Sequence, residues 1–235
     1  MNSEKSFKTI PVQARFAVIF FSLAGLLAVF GSMFFTRQSP ISQTLLLVVI
    51  GVVMARAKVK LAGTSTISLL TTTVLLALMM GGTAMAVIVG ICGVTAQTLL
   101  PSRKIVLHQL AFNIGMIALT VCATGWAVHM LIRGSVLDQL LIAPVASLVY
   151  FFGNSSSIAL IIGLSKRVSA LEIWRTHMVS TAPSFLIAGT LSLTLFHLVA
   201  SPATGLALAV VPMISSIYYV SVWLAGRTPS GSVNA

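Results

Sequence analysis

The chain has 235 residues, a mean hydropathy of +1.06 and a formal net charge of +11, with 57% hydrophobic and only 7% charged residues. A water-soluble domain carries about 25% charged residues, so the composition excludes one and predicts an all-α, polytopic helical bundle whose first partner is the lipid bilayer. The apolar runs are continuous rather than alternating, which excludes a transmembrane barrel. The basic residues sit in the gaps between those runs, not on one face, so nucleic acid is not the expected partner of the charge.

In chain order, residues 1–15 are basic and polar and read as a cytoplasmic N-terminal segment. The apolar run that follows, 16–35, is long for a cleavable signal peptide, and MNSE lacks the glycine of a myristoylation site. Seven more apolar segments follow at 41–55, 66–81, 84–100, 105–132, 138–164, 179–198 and 203–225. Together they define a transmembrane domain over 16–225, ahead of a polar tail, 226–235. The second, third and fourth are short, ~23 to 26 Å of helix against a hydrocarbon core of ~30 Å. KVKLAGTSTISL, between the second and third, predicts an extended linker. Gly81-Gly82 predicts a tight turn between the third and fourth.

Eight spans with a cytoplasmic N-terminus place twelve of the 14 Lys and Arg residues on the cytoplasmic side. Only Arg37 and Arg133 fall outside, the asymmetry that the positive-inside rule expects. Both termini are then cytoplasmic. Trp126 and Tyr150 fall towards the outer ends of their segments and Trp174 and Trp223 near the inner surface, as interfacial anchors do. Cys92 and Cys122 lie inside apolar runs and read as packed thiols, not a disulfide.

The sixth segment contains VYFFGNSSSIALIIG, with a glycine, an asparagine and three serines at the depth of lipid. Gly and Ser let helix backbones approach, and Asn and Ser hydrogen bond across helices, so this strip belongs inside the bundle. The fifth segment carries LAFNIGM. Asn113 and Asn154 lie about 8 and 10 residues from the inner ends of their helices, a depth difference of only ~3 Å, so they can meet. Thr71–Thr73, Thr181 and Ser184 add hydroxyls, and Pro183 and Pro212 are expected to free backbone carbonyls inside helices. Two readings stay open. One is a set of hydrogen bonds that fixes helix register. The other is a pocket for a small polar or amphipathic ligand, with Asn113, Asn154, Ser155, Ser156, Ser157 and Thr72 as candidate binding residues. Intramembrane carboxylates are almost absent, with Asp138 read as part of an outer loop and Glu4 and Glu172 as cytoplasmic, which argues against a proton-coupled pump.

Leu164, Val168, Leu171, Trp174 and Met178 recur at helical spacing, and Ser169 with Glu172 has the spacing of a capping box. They predict a short amphipathic helix at the cytoplasmic surface, near 170–178, starting near Ala170. It is either an anchor or a lever that passes motion to a protein partner, with Glu172, Trp174 and Arg175 as candidate relay residues. The histidines form two pairs, His108/His177 and His129/His197. Their spacings along the fifth and seventh segments, about 30 Å, place the pairs at opposite membrane edges, so haem is not expected, nor any other cofactor or metal. There is no Walker loop, CxxC, HExxH or GxSxG, and no acid–base pair within a span, so no enzyme is expected.

Read together, LAGTSTISLLTTTVLLALMMGGTAMAVIVGICG, LHQLAFNIGMIAL and VYFFGNSSSIALIIGLSKRVSALEIWRTHM resemble a known pattern. It is the multi-helix membrane domain at the N-terminus of many bacterial cyclic-di-GMP signalling proteins with HD-GYP or GGDEF output domains. The carrying features are the Thr/Ser-rich entry to the third segment, Asn113, Asn154, and the Glu172/Trp174 surface helix. The resemblance implies a sensory role in the bacterial inner membrane and a cytoplasmic output after the last helix. Here GRTPSGSVNA follows that helix and carries neither output motif, so the expectation is either a sensory domain without its output or a stand-alone relative that works through a partner. The alternatives are a substrate-binding subunit of an uptake system with an energising partner, and a structural subunit of a larger membrane complex.

Overall fold

In lipid a chain must satisfy its own backbone, so continuous apolar runs fold as helices. The computed structural model describes residues 10–35, 40–55, 58–60, 66–100, 106–131 and 136–200. They form α1 (Val12–Phe35), α2 (Ile41–Met54), β1 (Lys58–Lys60), β2 (Thr66–Ser68), α3 (Leu69–Leu99), α4 (Leu107–Leu131), α5 (Val136–Lys166), α6 (Ala170–Ile173) and α7 (Ala182–Ala200). Among the described residues, five stretches are long and apolar enough to cross a membrane: Val12–Phe34, Leu69–Leu99, Leu107–Leu131, Leu141–Lys166 and Ala170–Ala200. The expected eighth segment, 203–225, with Pro212 and Trp223, and the tail 226–235 lie outside the described residues. So do residues 1–9, Arg37 and Arg133.

The 31 residues of α3 are not one rod. Gly82 has φ 77° and ψ −168°, a region open almost only to glycine. Gly90 packs against Val74, and Gly93 against Leu70. A straight helix would hold those pairs about 24 and 35 Å apart. The helix therefore folds back at Gly82 into antiparallel arms, 69–81 and 83–99, of roughly 20 and 25 Å. This is the turn that Gly81-Gly82 predicts, and it makes Leu69–Leu99 two short segments rather than a single long span.

Side-chain contacts fix the relative directions. Phe21 meets Phe112, and Cys122 meets Ala28, so α1 and α4 run parallel. Thr98 pairs with Asn113 and Thr83 abuts Gly125, so the second arm of α3 is antiparallel to α4. Gly153 faces Thr120 while Phe112 clusters with Ile158 and Ile161, so α5 is antiparallel to α4. Phe151 meets Phe185 and Ser147 meets Gly189, so α7 is antiparallel to α5.

Helices α3, α4, α5 and α7 close a ring in which α3 packs on α4 and α7, and α5 packs on α4 and α7. Its centre holds Leu75, Met85, Ile117 and Val121. Helix α1 lies outside, mainly on α4, with a second apolar cluster at Val18, Phe112 and Met116; α2 lies outside on α3. The outward face of α1 is apolar: Phe16, Phe20, Leu23, Leu27, Phe30 and Phe34 are all exposed. A stripe at helical spacing turned away from the core is the face that lipid covers.

Three expectations need correction. The described parts of KVKLAGTSTISL are not a plain linker: β1 and β2 pair antiparallel, with Val59 opposite Ile67, and residues 61–65 lie outside the described residues. Val59 on one side of Gly63 and Thr66-Ile67 on the other, in strands five residues apart with a glycine between, are a hairpin signal. Tyr150 is not an interfacial anchor, since it is buried and hydrogen-bonded with Thr71. Pro183 lies in the first turn of α7, not in mid-helix, and the Val179 carbonyl it cannot serve is taken by the Ala182 N–H. Among the described residues, the proline inside a helix is Pro144, in α5. Cys92 and Cys122 are free thiols, both partly buried.

Candidate functional site

The end of α5 and the start of α6 set the geometry. The Val168 N–H donates to Gly163 O (3.0 Å) across Arg167, whose φ is 58°. This six-to-one bond with a left-handed residue is a Schellman ending, with arginine where glycine is usual. Left-handed arginine costs roughly 1 kcal/mol, so Arg167→Gly is expected to raise thermal stability in detergent by about that amount. A fall would mean that the guanidinium contributes more than the strain removes.

The next helix starts at Ala170, as its sequence predicts. Ser169 is the N-cap, and its Oγ accepts from the Glu172 N–H at 3.3 Å. It is not a free-standing surface helix over 170–178. After Ile173 the backbone widens into a π turn, Trp174–Met178, in which the Val179 N–H reaches Trp174 O. It then tightens into a 3₁₀ turn, Val179–Thr181, in which the Ala182 N–H takes Val179 O. Pro183 explains the second change: it has no N–H for the Val179 carbonyl, so the preceding residue supplies one. The expected apolar stripe is split. Val168 and Leu171 are exposed, while Trp174 and Met178 are partly buried.

Trp174 joins this segment to the polar strip of α5. Its Nε1–H donates to the buried Ser155 Oγ at 2.9 Å. Its ring stacks on Phe152, with centroids 5.7 Å apart and planes at 21°, and contacts Phe151. Phe151 and Tyr150 both meet Phe185 of α7. The aromatic group thus ties α5, α6 and α7 at one level. Glu172 and Arg175, the other relay candidates, are exposed.

The remaining candidates do not converge on one centre. Ser157 donates to Gly153 O at 2.7 Å, and Ser156, exposed, donates to Phe152 O; both hydroxyls bond within their own helix. Asn113 does not meet Asn154. Its Nδ2 donates to Thr98 Oγ1 (3.1 Å), and Thr98 donates in turn to Val94 O (2.8 Å). Counting from helix ends places the two asparagines level. Packing, however, sets Thr120 against Gly153 and Phe112 beside Ile158, so Asn113 and Asn154 sit about 9 Å apart in height. Asn154 is partly buried in α5. Thr72 lies elsewhere, where the first arm of α3 meets α7: Ser192 donates to Thr72 O at 2.9 Å, but the buried Thr72 Oγ1 has no partner among the described residues. Thr98, Ser192 and Tyr150 complete these contacts and escape a reading confined to the polar strip.

A buried hydroxyl without a partner costs about 1–3 kcal/mol. Thr72→Val keeps the shape and removes the hydroxyl, so thermal unfolding in detergent is expected to shift upward by about 1 kcal/mol. A clear loss of stability would show that the hydroxyl is engaged in the folded protein.

Among the clefts beside α1, two hold candidate residues. One, of 360 Å³, lies among Phe21, Ser156, Ser157, Leu160, Leu171 and Trp174. The other, of 460 Å³, contains Asn113. Among the described residues no three of His, Cys, Asp and Glu gather as a metal-binding group.

Helices of this length and apolarity, packed as a bundle with an outward apolar face, define a multi-pass helical membrane protein. The chain matches no protein-family model, no curated protein and no solved structure.

Proposed function

We propose that this chain is a non-enzymatic sensory or regulatory module of the bacterial inner membrane. It binds a small or lipophilic ligand and signals to a cytoplasmic partner. The resemblance to the membrane domains of cyclic-di-GMP signalling proteins is part of this reading, as are eight spans with both termini in the cytoplasm.

The observation that carries it is the Trp174–Ser155 hydrogen bond. It links a polar strip inside the bundle to the π and 3₁₀ turns before α7. Mid-helix departures of this kind are frequent at functional hinges. A ligand that reorders the strip therefore acts on the turn through Trp174, and exposed Glu172 and Arg175 offer a partner something to read.

The test is purification of the tagged chain in mild detergent, with mass spectrometry of what it retains. The expected result is a cytoplasmic signalling protein, with retention reduced about tenfold in Trp174→Leu. The tryptophan supplies a membrane hydrogen bond worth ~0.6 kcal/mol and a ring contact worth about 0.5–1.5 kcal/mol, together roughly tenfold in an equilibrium. Retention of an ATP-driven module instead would replace sensing by substrate capture for uptake. A coloured complex of unrelated membrane subunits would replace it by a structural role.

A further inference from the structure

The 460 Å³ cleft lies where α1 and α4 begin and α5 ends, beside the smaller apolar cluster. Its volume falls in the range of small-ligand sites, ~300–1,000 Å³. Its wall is divided by chemistry. Val18, Phe112, Ile158 and Ile161 form the apolar part, with Val18 and Phe112 buried. His108, Gln109, Asn113, Ser165 and Lys166 supply the polar groups. From Ile158 to Lys166 the cleft runs about 12 Å along α5.

The lining carries the Lys166 charge and no Asp or Glu. Because α4 starts and α5 ends at this rim, their terminal partial charges oppose each other. Lys166 therefore sets the sign. The charge calls for an anion, and the apolar length below it calls for a hydrocarbon chain.

We infer that this cleft binds an anionic amphiphile, its acid group at Lys166 and His108 and one acyl chain along Phe112, Ile158 and Ile161. Asn113 lies one residue beyond Phe112 on α4, about 8 Å deeper than His108, so its amide meets the upper part of the chain rather than the acid group. The assignment rests on the reading of Asn113 as a ligand-binding residue, and it names the ligand class. A carboxylate from a free fatty acid and a phosphate from a phospholipid share the required chemistry.

The test is a titration of the full chain, purified in dodecyl maltoside, with the fluorescent fatty acid cis-parinaric acid. Saturable one-to-one binding is expected. Lys166→Gln, at an exposed position, is expected to weaken it about tenfold, the scale of one charge-assisted contact, and Lys166→Arg to restore it. Ile161→Trp, which fills the apolar part, is expected to abolish binding in protein that elutes unchanged. Competition separates the sources. Displacement mainly by dodecanoate assigns a free fatty acid, and displacement mainly by phosphatidylglycerol assigns a lipid headgroup. Equal displacement by uncharged dodecanol, with Lys166→Gln unchanged, overturns the assignment, as does the absence of saturable binding. Since no partner protein is present, such a failure removes this ligand class and leaves the partner experiment to decide the sensory reading.

Discussion

Gly115→Leu is expected to undock α1 from the bundle. At this crossing the two backbones nearly touch. A Cβ on Gly25 would lie 2.6 Å from Gly115 O, and one on Gly115 would lie 2.6 Å from the Phe21 carbonyl carbon. Real Cβ atoms do not approach so closely, and what stands in the way is backbone, which cannot rotate aside. Without a hydrophobic force between helices in lipid, close packing of small residues is what holds a peripheral helix. Leucine forces the helices apart at an overpacking cost of about 1–3 kcal/mol. It also breaks the edge-to-face contact of Phe21 with Phe112, worth a further 0.5–1.5 kcal/mol or so. A loss of about 2–4 kcal/mol follows, and it has a local reporter. The Cys122 Sγ–H lies against Ala28 O at 3.5 Å, on the face that α1 covers. In a Cys92→Ser background, maleimide labelling of Cys122 is expected to accelerate at least about tenfold in Gly115→Leu, since 1.4 kcal/mol of opening is already a factor of ten. Gly25→Leu should do the same, and the two together should cost less than their sum. Unchanged labelling and unchanged stability would mean that α1 does not pack through these glycines.

The features legible beforehand were those set by local chemistry. Apolar runs gave the helices, Gly81-Gly82 the reversal, and Ser169 the start of α6. What the sequence concealed was register between helices. Depth counted from helix ends made Asn113 and Asn154 level, but helix ends are the least certain positions, and an error of a few residues is several ångströms. Small residues decided the real register: Gly153 received Thr120 and Gly115 received Phe21, and these contacts left Asn113 to Thr98. The Ser155–Trp174 pair joined a candidate binding residue to a candidate relay residue. Each was visible alone, but their meeting depended on the Schellman turn at Arg167, for which a glycine would have been the signal. The π and 3₁₀ turns were illegible for a related reason. The 170–178 stretch has acceptable helical spacing, and only the Trp174 anchor behind it and Pro183 ahead of it force the backbone to change pitch.

The second large effect is expected at Gly82, where replacement by valine should spoil the α3 hairpin. At φ 77° and ψ −168° a β-branched residue meets strain of about 3 kcal/mol, at the upper end for non-glycine residues in such regions. Straightening α3 into one helix would relieve the strain. That would separate Gly90 from Val74 by about 24 Å and withdraw Leu70 from Gly93. It would also reverse every later segment relative to α1 and move the basic residues around Lys166 to the opposite side. The positive-inside preference opposes such a reversal, so the strain has no easy outlet and the expected result is a destabilised hairpin, not an inverted bundle. The pair Val74→Cys and Gly90→Cys, in a background without Cys92 and Cys122, measures this directly. With Gly82 present, mild oxidation should join the arms, because a Cβ at residue 90 lies 3.6 Å from Val74 Cγ2. With Gly82→Val, cross-linking and thermal stability should fall together. Efficient cross-linking in stable Gly82→Val protein would show that the reversal does not need glycine. A pair that fails to join even with Gly82 present would show that α3 is a single long helix, and the order of segments after it would have to be redrawn.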